Sequence, residues 1–144
     1  MNIYEKLDKA RKLIRETSQK KAGRNEYSKY DYFTPEQVES IVAEVAEKVK
    51  ILPLCSLKRN EHGLYQELTL VNLESLEDRL VFELATSMGS LKASNETQQM
   101  GGTDTYSERY IKMKVFQIKD NSMDFDSQDN RAVERKTVDT VNFD

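Results

Sequence analysis

The sequence is poor in the residues that build catalytic and metal centres. Its 144 residues include one histidine, His62, one cysteine, Cys55, and no tryptophan. A lone cysteine has no partner for an internal disulfide or a Cys-x-x-Cys metal site, and a lone histidine rules out any two-histidine site. The apolar stretch around Cys55 favours a buried structural thiol over a reactive one. His62 lies in a predicted hairpin turn, Asn60–Gly63, where we expect it to be exposed.

Motifs for phosphate binding and nucleophilic catalysis are missing as well. The chain contains no GxxxxGK[ST] loop and no GxSxG elbow. The Asp-rich stretch 120–129 lacks the central glycine and the closing glutamate of an EF-hand calcium loop. We therefore predict that the protein is not an enzyme and uses no metal and no cofactor. A small metal-dependent nuclease built from Glu67, Asp78 and Glu83 stays open as an alternative, although no pattern singles out these carboxylates.

Long apolar runs are lacking too. No apolar segment approaches the roughly 20 residues that a membrane helix needs, and the first residues lack the apolar core of a secretory signal. Charged residues make up 33% of the chain, which suits a well-solvated exterior. The length suits one domain with a modest core. We therefore expect a cytoplasmic protein without a membrane partner.

Charge is unevenly distributed along the chain. The net charge is −3, yet residues 9–29 hold eight Lys or Arg against two Glu. Residues 120–144 hold seven acidic and three basic side chains. Such segregation suggests an anionic partner for the front of the chain and a different partner for its end.

What the sequence does contain is a basic-aromatic segment at residues 20–33, KKAGRNEYSKYDYF, which we expect to form a loop. It mixes cations that neutralise phosphates with flat rings on which unpaired bases stack, and so predicts binding of single-stranded nucleic acid. The residues concerned are Lys20, Lys21, Arg24, Lys29, Tyr27, Tyr30, Tyr32 and Phe33. The alternatives are solvated lysines and packed aromatics. We expect Tyr30 and Phe33 to pack, which leaves Tyr27 and Tyr32 for stacking.

Hydrophobic periodicity predicts two helices in the first half of the chain. The first has apolar residues at three- and four-residue spacing, with Lys6 and other basic residues on its remaining faces. Its apolar set is Ile3, Leu7, Ala10, Leu13 and Ile14. The second begins at Thr34-Pro35, a capping residue followed by proline at the first helical position. It buries a stripe from Val38 to Val49 and ends before Pro53.

The remainder predicts a sheet, a loop, a third helix and a tail. Residues 54–85 alternate between apolar and polar side chains, which predicts three antiparallel strands. Residues 86–102 are polar enough for a loop. A third helix would be capped by Thr103 or Asp104, with Tyr106 and Tyr110 in the core and Arg109 on another face. The predicted fold class is α+β, a small antiparallel sheet of about three strands packed against helices. Residues 1–119 would form that domain and residues 120–144 an acidic, mostly disordered tail.

Two segments resemble the ERF (essential recombination function) family of phage single-strand annealing proteins. The first, NEYSKYDYFTPEQV, matches the family's aromatic, Lys-Tyr and capped-helix pattern at Tyr27, Lys29, Tyr30, Thr34 and Glu36. The second, TQQMGGTDTYSERYIKMKVFQI, is similar to its Gly-Ser/Thr-x-x-Thr-Tyr-x-x-Arg-Tyr segment at Gly102, Thr103, Thr105, Tyr106, Arg109 and Tyr110. The chain departs from the pattern at Glu108, where many relatives have a second arginine, and lacks the usual glycine after the second helix.

The resemblance implies an ATP-independent protein that coats single-stranded DNA and pairs complementary strands as a ring or filament of identical subunits. Such a protein would work in the cytoplasm of a phage host. A host recombination or single-strand-binding protein would be a further partner, bound through the acidic tail. The predicted DNA contacts are Lys20, Lys21, Arg24, Tyr27, Lys29, Tyr32, Arg109 and Lys112. A small protein-interaction module without nucleic-acid activity is the alternative.

Overall fold

The computed structural model describes residues 1–17, 23–25, 30–88 and 95–119, with residues 23–25 and 30–32 described as backbone. The elements in chain order are α1 (Ile3–Glu16), β1 (Gly23–Asn25), β2 (Tyr30–Tyr32), α2 (Pro35–Val49), β3 (Ile51–Asn60), β4 (Gly63–Asn72), β5 (Arg79–Ala85) and α3 (Glu96–Phe116). The predicted α+β class, with helices and a three-stranded antiparallel sheet, is confirmed. The predicted tail, 120–144, lies outside the described residues. Among the described helices, none is both long enough and apolar enough to cross a membrane.

The described elements fall into two compact units. The larger unit holds α1, α2, β3, β4, β5 and α3, and its core is apolar. The smaller unit holds β1 and β2, which pair antiparallel with Arg24 opposite Asp31. The basic-aromatic segment was expected to be a loop, so this short hairpin corrects that prediction. Phe33, at the end of the hairpin, is buried as expected.

Helix α1 follows its predicted apolar spacing. Asn2 and Glu5 form a capping box, in which each side chain accepts a hydrogen bond from the backbone N–H of the other residue. Leu13 is half-buried, and the fully buried apolar residues are Ile3, Leu7, Ala10 and Ile14. The predicted buried face of α1 is therefore confirmed, except that Leu13 is only half-buried.

Polar groups on α1 attach the helix to the turn between β4 and β5. Lys6 was expected on an outer face, but it is buried. Its Nζ donates to the Glu74 carboxylate at 2.8 Å and to the Lys50 carbonyl at 3.3 Å. The Asp78 carboxylate accepts a hydrogen bond from the backbone N–H of Ile3 at 2.8 Å. These contacts satisfy a buried charge and a helix-end donor, and they fix α1 against the sheet.

Helix α2 begins at Pro35 as predicted and buries the predicted stripe, Val38, Ile41, Val42, Val45, Ala46 and Val49. It does not end because of Pro53. Lys50 takes the left-handed conformation with φ 64°, and β3 starts at the next residue. Pro53 lies inside β3, which tolerates it because β3 is an edge strand of the sheet.

The sheet has the strand order β3-β4-β5 and a regular antiparallel register. Glu61 and His62 form the predicted turn before Gly63, whose φ of +123° suits glycine. One face of β4 buries Gln66, Leu68 and Leu70. The opposite face of the sheet exposes Leu52, Leu54 and Val81.

Helix α3 begins at Glu96, eight residues before the start that a cap at Thr103 predicts. Asn95 and Gln98 form a capping box that nucleates the helix at Glu96. Gly101 and Gly102, expected in a loop, therefore lie within the helix. Each costs about 1 kcal/mol relative to alanine, and the cap together with the packing of the following turns outweighs that cost.

Candidate nucleic-acid interface

Two of the eight predicted DNA contacts, Arg109 and Lys112, have described side chains, and both lie on α3. Arg24 and Tyr32 are described as backbone, on paired strands of the β1–β2 hairpin. The remaining four predictions lie outside the described residues, namely Lys20, Lys21, Tyr27 and Lys29. The geometry of the candidate site is therefore that of α3 and its neighbours.

Helices α2 and α3 enclose a pocket of about 240 Å³. The first turns of α2 contribute Pro35, Glu36, Val38 and Glu39, and α3 contributes Thr105, Glu108, Arg109 and Lys112. Drug-sized ligands usually occupy roughly 300–1,000 Å³. The pocket therefore suits a phosphate or another small group better than a large cofactor.

Cations and carboxylates meet in this pocket. Arg109 and Lys112 are 7% and 8% exposed, which is low for basic residues. Lys112 Nζ donates to Glu108 Oε2 at 2.7 Å, one turn earlier in the same helix. Glu36 and Glu39 line the α2 side and are exposed. An anion entering the pocket must therefore compete with Glu108 for Lys112.

A pair of tyrosines lies on the same helix, one of them on its exposed side. Tyr106 was expected in the core but is 58% exposed, so that prediction is wrong, and Tyr110 is partly exposed. The two hydroxyls are 2.7 Å apart, and the rings meet edge to face with centroids 4.5 Å apart. The hydrogen bond between Tyr106 and Tyr110 is the largest of the causes that raise the pKa of Tyr106 to about 12. The guanidinium of Arg109 lies 5.4 Å from the centre of the Tyr110 ring, within cation–π distance.

A buried polar network fixes the rotation of α3, and the sequence gives no sign of it. Gln66 on β4 is fully buried, and its Nε2 donates to Asp104 Oδ1 at 2.9 Å and to Ser107 Oγ at 2.8 Å. Ser107 Oγ in turn donates to the Thr103 carbonyl at 2.6 Å. Because Ser107 faces the sheet, Tyr106 turns towards solvent and Arg109 lines the α2 pocket.

Cys55, on β3, is half-buried, which makes it less buried than expected. Burial raises the pKa of its thiol to about 12, while Lys112 lowers it and Glu108 and Asp104 raise it further. The thiol is therefore protonated at neutral pH, which fits a structural cysteine.

The carboxylates of the nuclease alternative are not brought together. Glu67 and Glu83 are direct neighbours across β4 and β5. Asp78 lies five positions from Glu83, about 16 Å along the strand at 3.3 Å per residue. Its carboxylate is engaged by Ile3 and by Asn72, whose Nδ2 donates to it at 3.0 Å. Within the described part of the chain, no group of three His, Cys, Asp or Glu side chains is placed to hold a metal.

Comparison with known proteins identifies one family. A family model described as the ERF superfamily matches residues 3–142. The match covers nearly the whole sequence, including the basic-aromatic segment and α3, so the resemblance seen in those two segments is confirmed. No curated protein and no solved structure matches the chain significantly.

Proposed function

Since the chain belongs to the ERF superfamily, a family associated with phage single-strand annealing, we propose that it binds single-stranded DNA and pairs complementary strands without ATP. The observation that carries this proposal is the family match over residues 3–142. Annealing makes and breaks no covalent bond, so the protein acts by binding and not as an enzyme. The substrate is the phosphate backbone of unpaired strands.

Helix α3 supports the proposal with both kinds of group that single strands need. Arg109 and Lys112 provide positive charge for phosphates, and the exposed ring of Tyr106 offers a face for an unpaired base. Contacts of this kind ignore base sequence and leave the base edges available for pairing. In the basic-aromatic segment, phosphate contacts come from Lys20, Lys21, Arg24 and Lys29, and stacking contacts from Tyr27 and Tyr32.

Assembly completes the proposed mechanism. Several identical subunits present many nucleotides at once, which makes binding cooperative and holds a strand extended. Each phosphate neutralised lowers log K by roughly 0.7 per unit of log salt on a single strand. Residues 120–144 carry an acidic excess, and we assign to them the contact with a host recombination or single-strand-binding protein.

The decisive experiment measures the binding of oligo-dT by fluorescence anisotropy. The variant Lys29→Ala with Arg109→Ala is expected to bind about tenfold more weakly. Its salt slope is expected to fall by about 1.4, since two phosphate contacts are lost. The matched control, Lys48→Ala with Arg59→Ala, removes the same charges from exposed positions on α2 and β3. Equal affinities of the two variants, with unchanged circular dichroism, would overturn the assignment of Lys29 and Arg109.

The interaction module remains the second candidate because the sheet exposes Leu52, Leu54 and Val81. A native-gel shift on single-stranded DNA, followed by annealing of complementary oligonucleotides without ATP, separates the two functions. Absence of a shift at low salt favours the interaction module. Loss of the substrate that depends on magnesium indicates the nuclease instead.

A further inference from the structure

The outer edge of β5 is a surface to which the proposed mechanism gives no role. β5 pairs with β4 on one side, and in the described part of the chain no strand pairs with its other side. A strand edge of this kind presents N–H and C=O groups in a row, and it is a template for pairing with another strand.

Hydrogen bonds at both ends of the β4–β5 pair show which residues face the outer edge. Asn72 N donates to the Asp78 carbonyl at 3.0 Å, and Thr86 N donates to the Leu64 carbonyl at 3.0 Å. Directly opposite residues of antiparallel strands alternate between hydrogen-bonded and non-hydrogen-bonded pairs. The even-numbered residues of β5 therefore bond to β4. The residues whose N–H and C=O groups point to the outer edge are Arg79, Val81, Glu83 and Ala85.

The charges at this edge are symmetric about Val81. Arg79 and Glu83 lie two residues before and after Val81, which is 56% exposed. If a second copy pairs antiparallel about an axis through Val81, Arg79 of each copy lies opposite Glu83 of the other. An axis through Phe82 places Arg79 opposite Ala85, and an axis through Glu83 places two glutamates together. Since opposite charges stabilise cross-strand pairs and like charges destabilise them, the register centred on Val81 is favoured.

Within the described part of the chain, Glu83 also has no ion pair of its own, although Lys58, the ion-pair partner of Glu67, is near enough to interact electrostatically with both carboxylates. It lies directly opposite Glu67 of β4, an arrangement of like charges that is unfavourable. Lys58 balances Glu67 at 2.9 Å, whereas no Lys or Arg among the described residues lies within ion-pair distance of Glu83. Arg79 of a second copy would give Glu83 an ion pair of its own. Its Nε donates to the Leu76 carbonyl at 2.7 Å, which uses one of the five guanidinium donors.

We propose that β5 pairs antiparallel with β5 of a second copy, so that two three-stranded sheets become one continuous sheet. The other edge strand, β3, is less suited, because Pro53 has no N–H to donate and Lys58 adds a charge at the edge. The contact is two-fold and closes on itself, so it builds a dimer, and larger assemblies need a second surface. The β5 contact specifies one interface of the homo-oligomer in the proposed function. It rests only on the proposal that the protein assembles with itself, because it involves no DNA contact.

Charge reversal tests both the contact and its register. Size-exclusion chromatography with light scattering, without DNA, is expected to give an even number of subunits for the wild type. Arg79→Glu and Glu83→Arg each place like charges together twice, so each variant is expected to dissociate with a roughly tenfold higher dimer Kd. In an equimolar mixture of the two variants both cross-strand pairs are complementary again. The mixture is therefore expected to recover the wild-type mass.

Control variants and DNA binding complete the test. Arg59→Glu makes the same charge change at an exposed position of β3 and is expected to keep the wild-type mass. If circular dichroism shows that a reversed variant is unfolded, Arg79→Ala and Glu83→Ala are measured instead, and both are expected to weaken the dimer. A monomeric wild type, or a mixture that stays dissociated, overturns the β5 contact. If a monomeric wild type still binds oligo-dT, the β5 contact is wrong and DNA binding as proposed stands. If the wild type is a β5 dimer that does not bind DNA, the proposed function is wrong and the β5 contact stands.

Discussion

The region around Lys6 and the region around Lys112 each bury a lysine, but they hold it differently. Lys6 is 1% exposed and bonds to Glu74 and to the Lys50 carbonyl, groups that lie far away in the sequence. Lys112 is 8% exposed and bonds to Glu108 within its own helix. A cation held by distant elements is part of the fold. A cation held by its own helix can exchange that carboxylate for another anion while the fold stays intact.

Arg11 belongs with Lys6 in this comparison. Its Nε donates to the Val115 carbonyl at 2.7 Å, in the last turn of α3, where a cation satisfies carbonyls and complements the helix dipole. The basic excess of residues 9–29 therefore includes a charge that has a structural role. A count of Lys and Arg residues therefore overestimates the number of phosphate contacts. A cation whose partner lies on a distant element has a structural role, whereas a cation whose partner lies on its own helix can bind phosphate.

The largest effect is expected when Lys6 is truncated. Lys6→Ala removes a packed aliphatic stem and the donor to the Lys50 carbonyl, and should lower the free energy of unfolding by about 2 kcal/mol. Lys48→Ala breaks an exposed pair with Glu44 and should change it by less than about 0.5 kcal/mol. Urea unfolding followed by circular dichroism measures both. If the Lys6→Ala variant stayed folded but lost affinity for oligo-dT, Lys6 would be a DNA contact, and its assignment to a purely structural role would be wrong.

The next effect concerns Glu108, which competes with phosphate for Lys112 in the proposed mechanism. Glu108→Gln should increase oligo-dT affinity about fivefold, corresponding to about 1 kcal/mol for a partly exposed ion pair. Glu44→Gln makes the same charge change in another i,i+4 pair and serves as the control. The gain should disappear in a Lys112→Ala background, because the competition needs Lys112. Equal affinities of the Glu108 and Glu44 variants would show that Glu108 does not compete.

The elements with regular apolar spacing could be predicted from sequence, because burial imposes the period of each helix and strand. Lys6 shows where this reasoning stopped. It lies at i+3 from Ile3, on the apolar stripe, and only its charge suggested an outer face. A long side chain can bury its stem and carry its charge to a partner from another element, and one sequence does not identify that partner.

Helix α3 was harder to predict, for a physical reason. Its buried face includes Thr103, whose hydroxyl donates to Met88 Sδ, and Ser107, which bonds to Gln66 and to the Thr103 carbonyl. Tyr106 instead satisfies its hydroxyl at the surface. Hydropathy ranks the tyrosine as the core residue and the serine as the surface residue, so it selects the wrong face. Arg109 and Lys112 were identified from the family-like segment. The pocket that surrounds them depends on packing between α2 and α3, which are distant in the chain.

The smallest expected effect concerns Glu74, the ion-pair partner of Lys6, and is the pH dependence of the stability that Glu74 contributes. The hydrogen bond and charge of Lys6, followed by the charge of Lys50, hold the pKa of Glu74 below its ordinary value of 4.5. A lowered pKa in the folded state contributes stability that is present above pH 4.5 and is lost as the pH falls through the folded pKa. The stability difference between wild type and Glu74→Gln should therefore be largest near neutral pH and vanish in acid.

Urea unfolding from roughly pH 3 to pH 7 measures this difference. It should be small throughout, because Glu74 is exposed and solvent screens the pair. In a Lys6→Ala background most of the difference should disappear, since Lys6 is the largest cause of the shift. A difference that persisted there would assign the effect to Lys50. Oligo-dT affinity should not respond to Glu74→Gln, whereas it should respond to Glu108→Gln, because Lys6 is held by distant elements and Lys112 by its own helix.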